Sequence, residues 1–334
     1  MIRQYRILVL TDHIGHSDQN SIYAILNQML DHPRCLAIDI ASRGLASNAY
    51  FFDGMQRNCL MGSKVTTDFQ YNAEGKFYTT NLRKLKVKEY DLVLLRLPRP
   101  ISDEFLQWIS EVFSHACIVN DPKGILKTSN KKFLVKFPSI CPDVRLCYSI
   151  EEIKEELLKY PIVLKPLKEY GGRGLLKIET DIVDDGINEY DTDVYLNALQ
   201  ERIENDGYLS MRYLKNVSQG DKRILVVDGE ILASSLRLPK EGSWLCNISQ
   251  GGISVASEVT AREQEIIEQI NPILRSEGIL MYGADTLVDD FGHRVLSEIN
   301  TLSIGGFPQA EAQTGKPIIK KLLDKIFIHA DQRT

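Results

Sequence analysis

Several features that mark disulfide-rich, membrane-spanning or nucleic-acid-binding chains are missing here. Six cysteines in 334 residues, at 35, 59, 117, 141, 147 and 246, form no Cys-x-x-Cys pair. That excludes a dithiol-redox or zinc-ribbon motif and gives no disulfide framework, so they read as buried free thiols. No stretch approaches the roughly 18 apolar residues of a membrane span. The run at 7–10, after Met-Ile-Arg-Gln-Tyr-Arg, is too short for a signal-peptide core. The expected location is the cytoplasm. Basic charge is not in excess: net charge is -5 and pI ≈ 5.8, so no global field exists to hold nucleic acid or an anionic membrane. Neither a P-loop nor Gly-x-Gly-x-x-Gly occurs, which argues against a Rossmann-type nucleotide site. Internal repeats and low-complexity tracts are also absent.

What is present reads as α/β. Short apolar runs at 7–10, 91–97 and 117–120 end in turn residues, the pattern of parallel strands covered on both faces. Between them, 21–30 and 103–112 carry helical spacing, which makes residues 1–122 an open α/β sheet closed by Asp121-Pro122. A second segment, 123–211, holds a helix at 150–158 and strands at 162–167 and 175–178 around a glycine-rich turn. A third, 212–334, has a hairpin over 222–238 turning at Asp228-Gly229, an amphipathic helix over 261–277 and a second hairpin over 279–299.

The last hairpin carries the first chemical signal. Glu298 and Asn300 are two apart and share a strand face, and Asp285 on the partner strand reaches that face. Two carboxylates and an amide oxygen suit Mg²⁺ and not zinc. Alone they read more readily as solvated acids; their neighbours reverse that in favour of the cation. Lys165 sits inside the apolar run Pro-Ile-Val-Leu-Lys-Pro-Leu, where burial of an ammonium demands an anion. Glu169-Tyr170-Gly171-Gly172-Arg173-Gly174 follows, and its glycines let backbone N–H groups close on phosphate. Such a turn alone is more often just a hairpin.

The run Gly220-Asp221-Lys222-Arg223-Ile-Leu-Val-Val-Asp228-Gly229-Glu230 resembles the ATP-grasp ligases, and within them the prokaryotic glutathione synthetases. The resemblance continues in order through Arg96 with Pro98 and Pro100, Ile118-Val119-Asn120, Asn130-Lys131-Lys132 and Val163–Leu167. It then takes in Gly171-Gly172, Leu236–Pro239, Asn247 with Gly251-Gly252, Asp285 and Glu298–Asn300. It implies an N-terminal open parallel sheet followed by a two-lobed ATP-grasp fold. It also implies ATP as co-substrate, Mg²⁺ with Mn²⁺ as the alternative, small-molecule partners and a homo-oligomer.

By residue, the resemblance implies Lys132 and Lys165 on the ATP phosphates under the Gly171, Gly172, Arg173, Gly174 loop. Met211, Tyr213 and Leu214 fall where adenine is read, and Asp221 where ribose is held. Arg223 and Arg237 meet the phosphorylated carboxylate; Asp285, Glu298 and Asn300 hold the metal. Asn247, Gly251, Gly252 and Ser303 match substrate positions, and 239–252 is the lid, or else a surface loop. The expected reaction joins γ-glutamylcysteine to glycine through an acyl phosphate. Alternatives are another carboxylate–amine ligase and a non-catalytic nucleotide-binding protein.

Three departures bear on substrate. The family's lid arginine is replaced by Leu245, with Cys246 beside it. The family's Ser-Pro turn becomes Thr301-Leu302-Ser303-Ile304-Gly305-Gly306-Phe307, and the turn at 291–294 is longer. His13-x-x-His16 reads as loop polarity with a minor substrate role as the alternative. Trp244 reads as a substrate contact or a solvent-facing ring, and Glu263, Glu265 and Glu268 as a solvated helix face.

Overall fold

A computed structural model describes residues 2–169, 171–240, 244–245 and 253–333. The described residues form three sheets. The first contains β1 (Tyr5–Thr11), β2 (Cys35–Ser42), β3 (Met61–Lys64), β4 (Arg83–Lys84), β5 (Leu92–Arg96) and β6 (Cys117–Val119), in the order β4-β3-β2-β1-β5-β6. Strands β2, β1, β5 and β6 are parallel, and β3 and β4 add an antiparallel edge that the sequence reading did not foresee. Both faces are covered. On β1, Leu8 and Leu10 enter one core with Phe105 and Ile109 of helix Asp103–Val112, while Ile7 and Val9 enter another with Ile22 and Leu26 of helix Ser21–Leu30. Period-two alternation between two apolar cores is why these strands read as unbroken apolar runs.

Asp121-Pro122 does more than end this layer. Asp121 accepts from Lys123 N–H and caps helix Pro122–Thr128, with Pro122 at its first position, where a missing N–H costs nothing. That helix and the 3₁₀ turn Lys131–Lys136 send Ile125, Phe133 and Leu134 into the larger core, away from the second sheet's own cluster.

The second sheet is antiparallel: β7 (Val144–Cys147), β8 (Ile162–Pro166), β9 (Leu176–Glu179), β10 (Ile182–Asp184), β11 (Glu189–Asp191) and β12 (Tyr208–Arg212), ordered β11-β10-β9-β8-β12-β7. The third, also antiparallel, holds β13 (Asp221–Val227), β14 (Glu230–Leu238), β15 (Ile253–Ala256), β16 (Met281–Val288) and β17 (Arg294–Asn300), ordered β15-β14-β13-β16-β17. Glu263 departs from the sequence reading. Thr260 caps helix Ala261–Ser276 and Glu263 completes the capping box, then turns inward, fully buried, to Lys222 Nζ at 2.8 Å and Thr286 Oγ1 at 2.7 Å. Glu265 and Glu268 stay exposed.

Among the described residues the cysteines are free, with Cys117, Cys141 and Cys147 buried and Cys35 and Cys59 half-buried. No described helix is long and apolar enough to cross a membrane.

Candidate active site

Two cavities meet between the sheets. A slot of about 80 Å³ lies between the second and third. Val163, Met211, Leu214 and Leu287 make apolar walls, Tyr213 and Trp244 add rings, and Lys165, Arg173, Asp221 and Glu298 supply polar edges. A larger cavity of about 620 Å³ opens toward the first sheet and is bounded by Arg96, Arg223, Arg237, Asn300 and Ser303. Lys131, Glu169 and Glu298 line both, so the two spaces communicate at those side chains.

Lys165, on β8, is buried and donates to the Ser297 carbonyl at 3.2 Å. A bulge in the β16–β17 pairing between Asp285 and Thr286 leaves Ser297 as an extra residue next to that contact. Burial lowers the Lys165 pKa, Glu298 opposes this and Lys131 adds to it. Two ammonium groups beside one carboxylate leave a positive surplus at the junction, which suits a polyanion.

The two lysines after Asn130 have opposite surroundings. Lys132 is exposed and lines neither cavity; Lys131 is buried, donates to the Glu169 carbonyl and lies 3.6 Å from Glu298 Oε1. The cause is the 3₁₀ turn, in which residues three apart eclipse. Lys131 stacks in phase with buried Leu134 and Phe137, and Lys132 with exposed Val135. The threefold spacing of apolar residues after Asn130 was the available signal.

Gly171, Gly172 and Gly174 all have φ between 66° and 78°, which L side chains rarely adopt, so this turn needs its glycines. Gly171 borders the large cavity and Gly172 and Arg173 the slot; Gly174 borders neither.

On the third sheet the charged residues form cross-strand pairs: Asp221 opposite Arg237, Arg223 opposite Asp285, Asp285 opposite Glu298. Arg223 grips both Asp285 oxygens, with Nη2 at 2.7 Å from Oδ2, while Arg237 reaches the same oxygen at 2.9 Å and grips Asp221. Burial alone would raise the Asp285 carboxyl, but the two guanidiniums outweigh it and hold it well below the usual range. Asp221 goes the other way, raised by burial and by the neighbouring Asp285 charge against the pull of Arg237. Glu298 and Asn300 both half-open onto the cavity, with Ile299 between them turned into the core.

These residues fit a hard divalent cation by donor chemistry. Glu298 and Asn300 open onto the large cavity, Asp285 is buried and lines neither cavity, and the Asn300 side chain, donating to Asp285 Oδ2 at 3.4 Å, makes no other hydrogen bond among the described residues. No cluster of three His, Cys, Asp or Glu exists among the described residues, so the amide is needed to complete the set.

Of the substrate positions, Ser303 borders the large cavity and donates to the Leu97 carbonyl at 2.6 Å. Asn247, Gly251 and Gly252 lie outside the described residues, as do Cys246 and most of 239–252. Leu245 is buried on the slot wall; a Cβ on Gly186 would stand 2.5 Å from its Cδ1, so the β10–β11 turn is cut to fit it. His13 is occupied by Ser42 at 2.6 Å and stacks on Tyr78. His16 faces the large cavity between Thr11 and Tyr23, and burial lowers it to about 4, so it is neutral near pH 7.

Residues 130–315 match the family model of the prokaryotic glutathione synthetase ATP-grasp domain. The glutathione synthetase of Brucella melitensis is 26% identical over 331 residues, covering 96% of this chain and 98% of the relative. That of Rhodopseudomonas palustris is 27% identical, covering 91% and 95%. Among solved structures, a D-cycloserine synthetase superimposes with a TM-score of 0.67 at 9% identity, covering 98% of this chain and 100% of that one. The D-alanine–D-alanine ligase of Bacillus anthracis, solved with ATP, gives 0.57 at 13% identity, covering 99% and 100%. The fold is that of the ATP-grasp ligases, and with more than half of its length matched by the family model this chain belongs to the prokaryotic glutathione synthetase family.

Proposed function

We propose that this chain is a glutathione synthetase, joining γ-glutamylcysteine to glycine with conversion of ATP to ADP and phosphate. The observation that carries this is the junction of the two cavities at Lys131, Glu169 and Glu298. A slot with apolar walls and an aromatic ring suits adenine, with Met211, Tyr213 and Leu214 around it and Asp221 toward the ribose. Lys131 and Lys165 then face the phosphates, and the Gly171–Gly174 turn covers them. Asp285, Glu298 and Asn300 would hold magnesium, which when bound neutralises charge on the β- and γ-phosphates.

Phosphoryl transfer asks the protein chiefly for positioning and charge. The donor carboxylate lies in the large cavity beside Arg223 and Arg237, and its oxygen displaces ADP from the γ-phosphorus. The glycine amine attacks the resulting acyl phosphate, and phosphate leaves. Both stages concentrate negative charge where the two guanidiniums stand, already oriented by Asp285 and Asp221. Water must be kept out while the acyl phosphate exists, which is the part given to the 239–252 lid, whose Trp244 and Leu245 border the slot. Free buried thiols suit a reducing cytoplasm.

A second ligase reading draws on the departures at Leu245 and 301–307, which border these cavities. Phosphate release across a panel of donor carboxylates and amine acceptors, with mass spectrometry of products, separates the two. γ-Glutamylcysteine with glycine is expected to be the best pair. Another pair turned over a hundredfold better would replace the substrate assignment and leave the ligase class; no ADP from any pair would remove both.

A further inference from the structure

The turn between β16 and β17, longer than the family's, has no part in the reaction as set out above. Past the last strand pair, Val288 with Arg294, the turn closes on itself. Asp289 N–H donates to the His293 carbonyl at 2.8 Å, and Gly292 N–H to the Asp289 carbonyl at 3.1 Å. Neither Asp289 nor Asp290 lines either cavity. Both are nevertheless half-buried, because the turn lies against the segment that joins β12 to β13.

That joining segment carries part of the slot. Met211, Tyr213, Leu214 and Val217 line it, and Leu287, three residues before Asp290 on β16, contributes from the third sheet. Asp290 ties the two sides together. Its Oδ2 accepts from Arg212 Nη2 at 2.9 Å and its Oδ1 from Lys215 N–H at 2.8 Å, while the Asp289 carbonyl accepts from Asn216 Nδ2 at 2.6 Å. Arg212 extends the link into the second lobe, 3.7 Å from Asp143 and over the Tyr160 ring at 5.5 Å. At the far end of the segment Arg294 Nη1 donates to the Gly220 carbonyl at 2.9 Å. Both Asp290 oxygens are thus spent, one on a backbone N–H and one on a guanidinium, on a side chain only 15% exposed. Hydrogen bonds to an ionised group in such a place are stronger than those between neutral groups in water.

A flat base held between apolar walls gains contact energy only where the walls meet it. A radial gap of roughly 0.5–1 Å forfeits about a quarter to a half of each dispersion contact. The spacing between 211–217 and Leu287 is therefore a determinant of affinity, and Asp290 spans it from behind. We propose that Asp290 is a positioning residue for the nucleotide base: it braces the 212–216 segment against the β16–β17 hairpin and so sets the width of the slot. This rests on the reading of the slot as the adenine site given above. The longer turn then acts on the nucleotide and not on the two substrates.

The test compares wild type, Asp290→Ala, Asp290→Asn and Phe291→Ser, the last at the exposed tip of the same turn. Calorimetry measures binding of ATP and of tripolyphosphate, which carries the phosphates without the base, each with magnesium. Asp290→Ala should weaken ATP on the order of tenfold and leave tripolyphosphate within about twofold of wild type. In the phosphate-release assay KM for ATP should rise by the same factor, with kcat at saturating ATP unchanged. Asp290→Asn keeps an acceptor for Lys215 N–H and should recover part of the loss, and Phe291→Ser should bind ATP as wild type does. The ratio of ATP to tripolyphosphate affinity is the readout, because a general loss of structure moves both ligands together; Asp290→Asn supplies it if the alanine variant does not fold. An unchanged ratio would overturn the proposal. Wild type that binds tripolyphosphate but gains nothing from the base would strike the adenine reading of the slot itself, and the brace with it.

Discussion

Lys131 and Lys132 are chain neighbours with opposite surroundings, and they separate pattern from geometry at single-residue resolution. Lys131→Met should lower kcat/KM for ATP by at least tenfold, whereas Lys132→Met should change it less than twofold; steady-state kinetics of the two variants checks this. Equal losses would mean that the 3₁₀ phase does not decide the contact. Lys165 makes a different prediction. Its folded pKa lies below the ordinary lysine value, so between the two the unfolded chain binds more protons and stability rises with pH. Lys165→Met should abolish ATP binding in calorimetry, keep or raise Tm at neutral pH, and flatten that rise. A variant that binds ATP as wild type does would make the lysine structural.

At the scale of elements, the decisive join is between β6 and the third sheet. Asn120, just past β6, is buried and has all four of its side-chain bonds made. Its amide donates to the carbonyls of Met281 (2.7 Å) and Thr301 (2.8 Å), and its oxygen accepts from Leu280 and Met281 N–H at 2.9 Å. Asn120→Ala would leave buried backbone groups without partners and should cost about 3 kcal/mol in urea unfolding. Because β16 and the end of β17 carry Asp285 and Asn300, activity should fall further than the loss of folded protein explains. A change below about 0.5 kcal/mol would show that this junction is not specific.

Across the whole molecule the apolar cores are unevenly shared. The two larger clusters each contain residues of the first and third sheets, whereas Ile162, Leu164, Ile178 and Val183 of the second form a separate one with Leu196 of helix Thr192–Ala198. Strand β12 stands between, with Tyr208 in the separate cluster and Leu209 and Met211 in the larger. Contiguous cores open as units, so amides of β9, β10 and β11 should exchange through a partial opening while β1, β5, β13 and β16 exchange only on global unfolding. Native-state hydrogen exchange would read this, and an ATP analogue should raise protection in the first group. One common opening free energy for all seven strands would contradict it.

The sequence by itself determined whatever rests on local period and turn chemistry. Apolar runs placed β1, β5 and β6. Helical spacing marked 21–30 and 103–112 to the residue, and Asp228-Gly229 set the β13–β14 hairpin because its turn requires positive φ at both positions. The i, i+2 rule put Glu298 and Asn300 on one face, and family resemblance named most of the charged residues that the cavities gather. Tertiary structure decided what depends on contacts distant in sequence. Short strands such as β7 and β12 have little periodic signal of their own and exist through pairing. Glu263 looked solvated until Lys222 and Thr286, more than twenty residues away, drew it inward. Arg96 was legible only as a residue of the family pattern; the meeting of β1, β5 and the 301–305 segment buried it with neutral hydrogen-bond partners, since a charge balance belongs to a cavity and not to a stretch of chain.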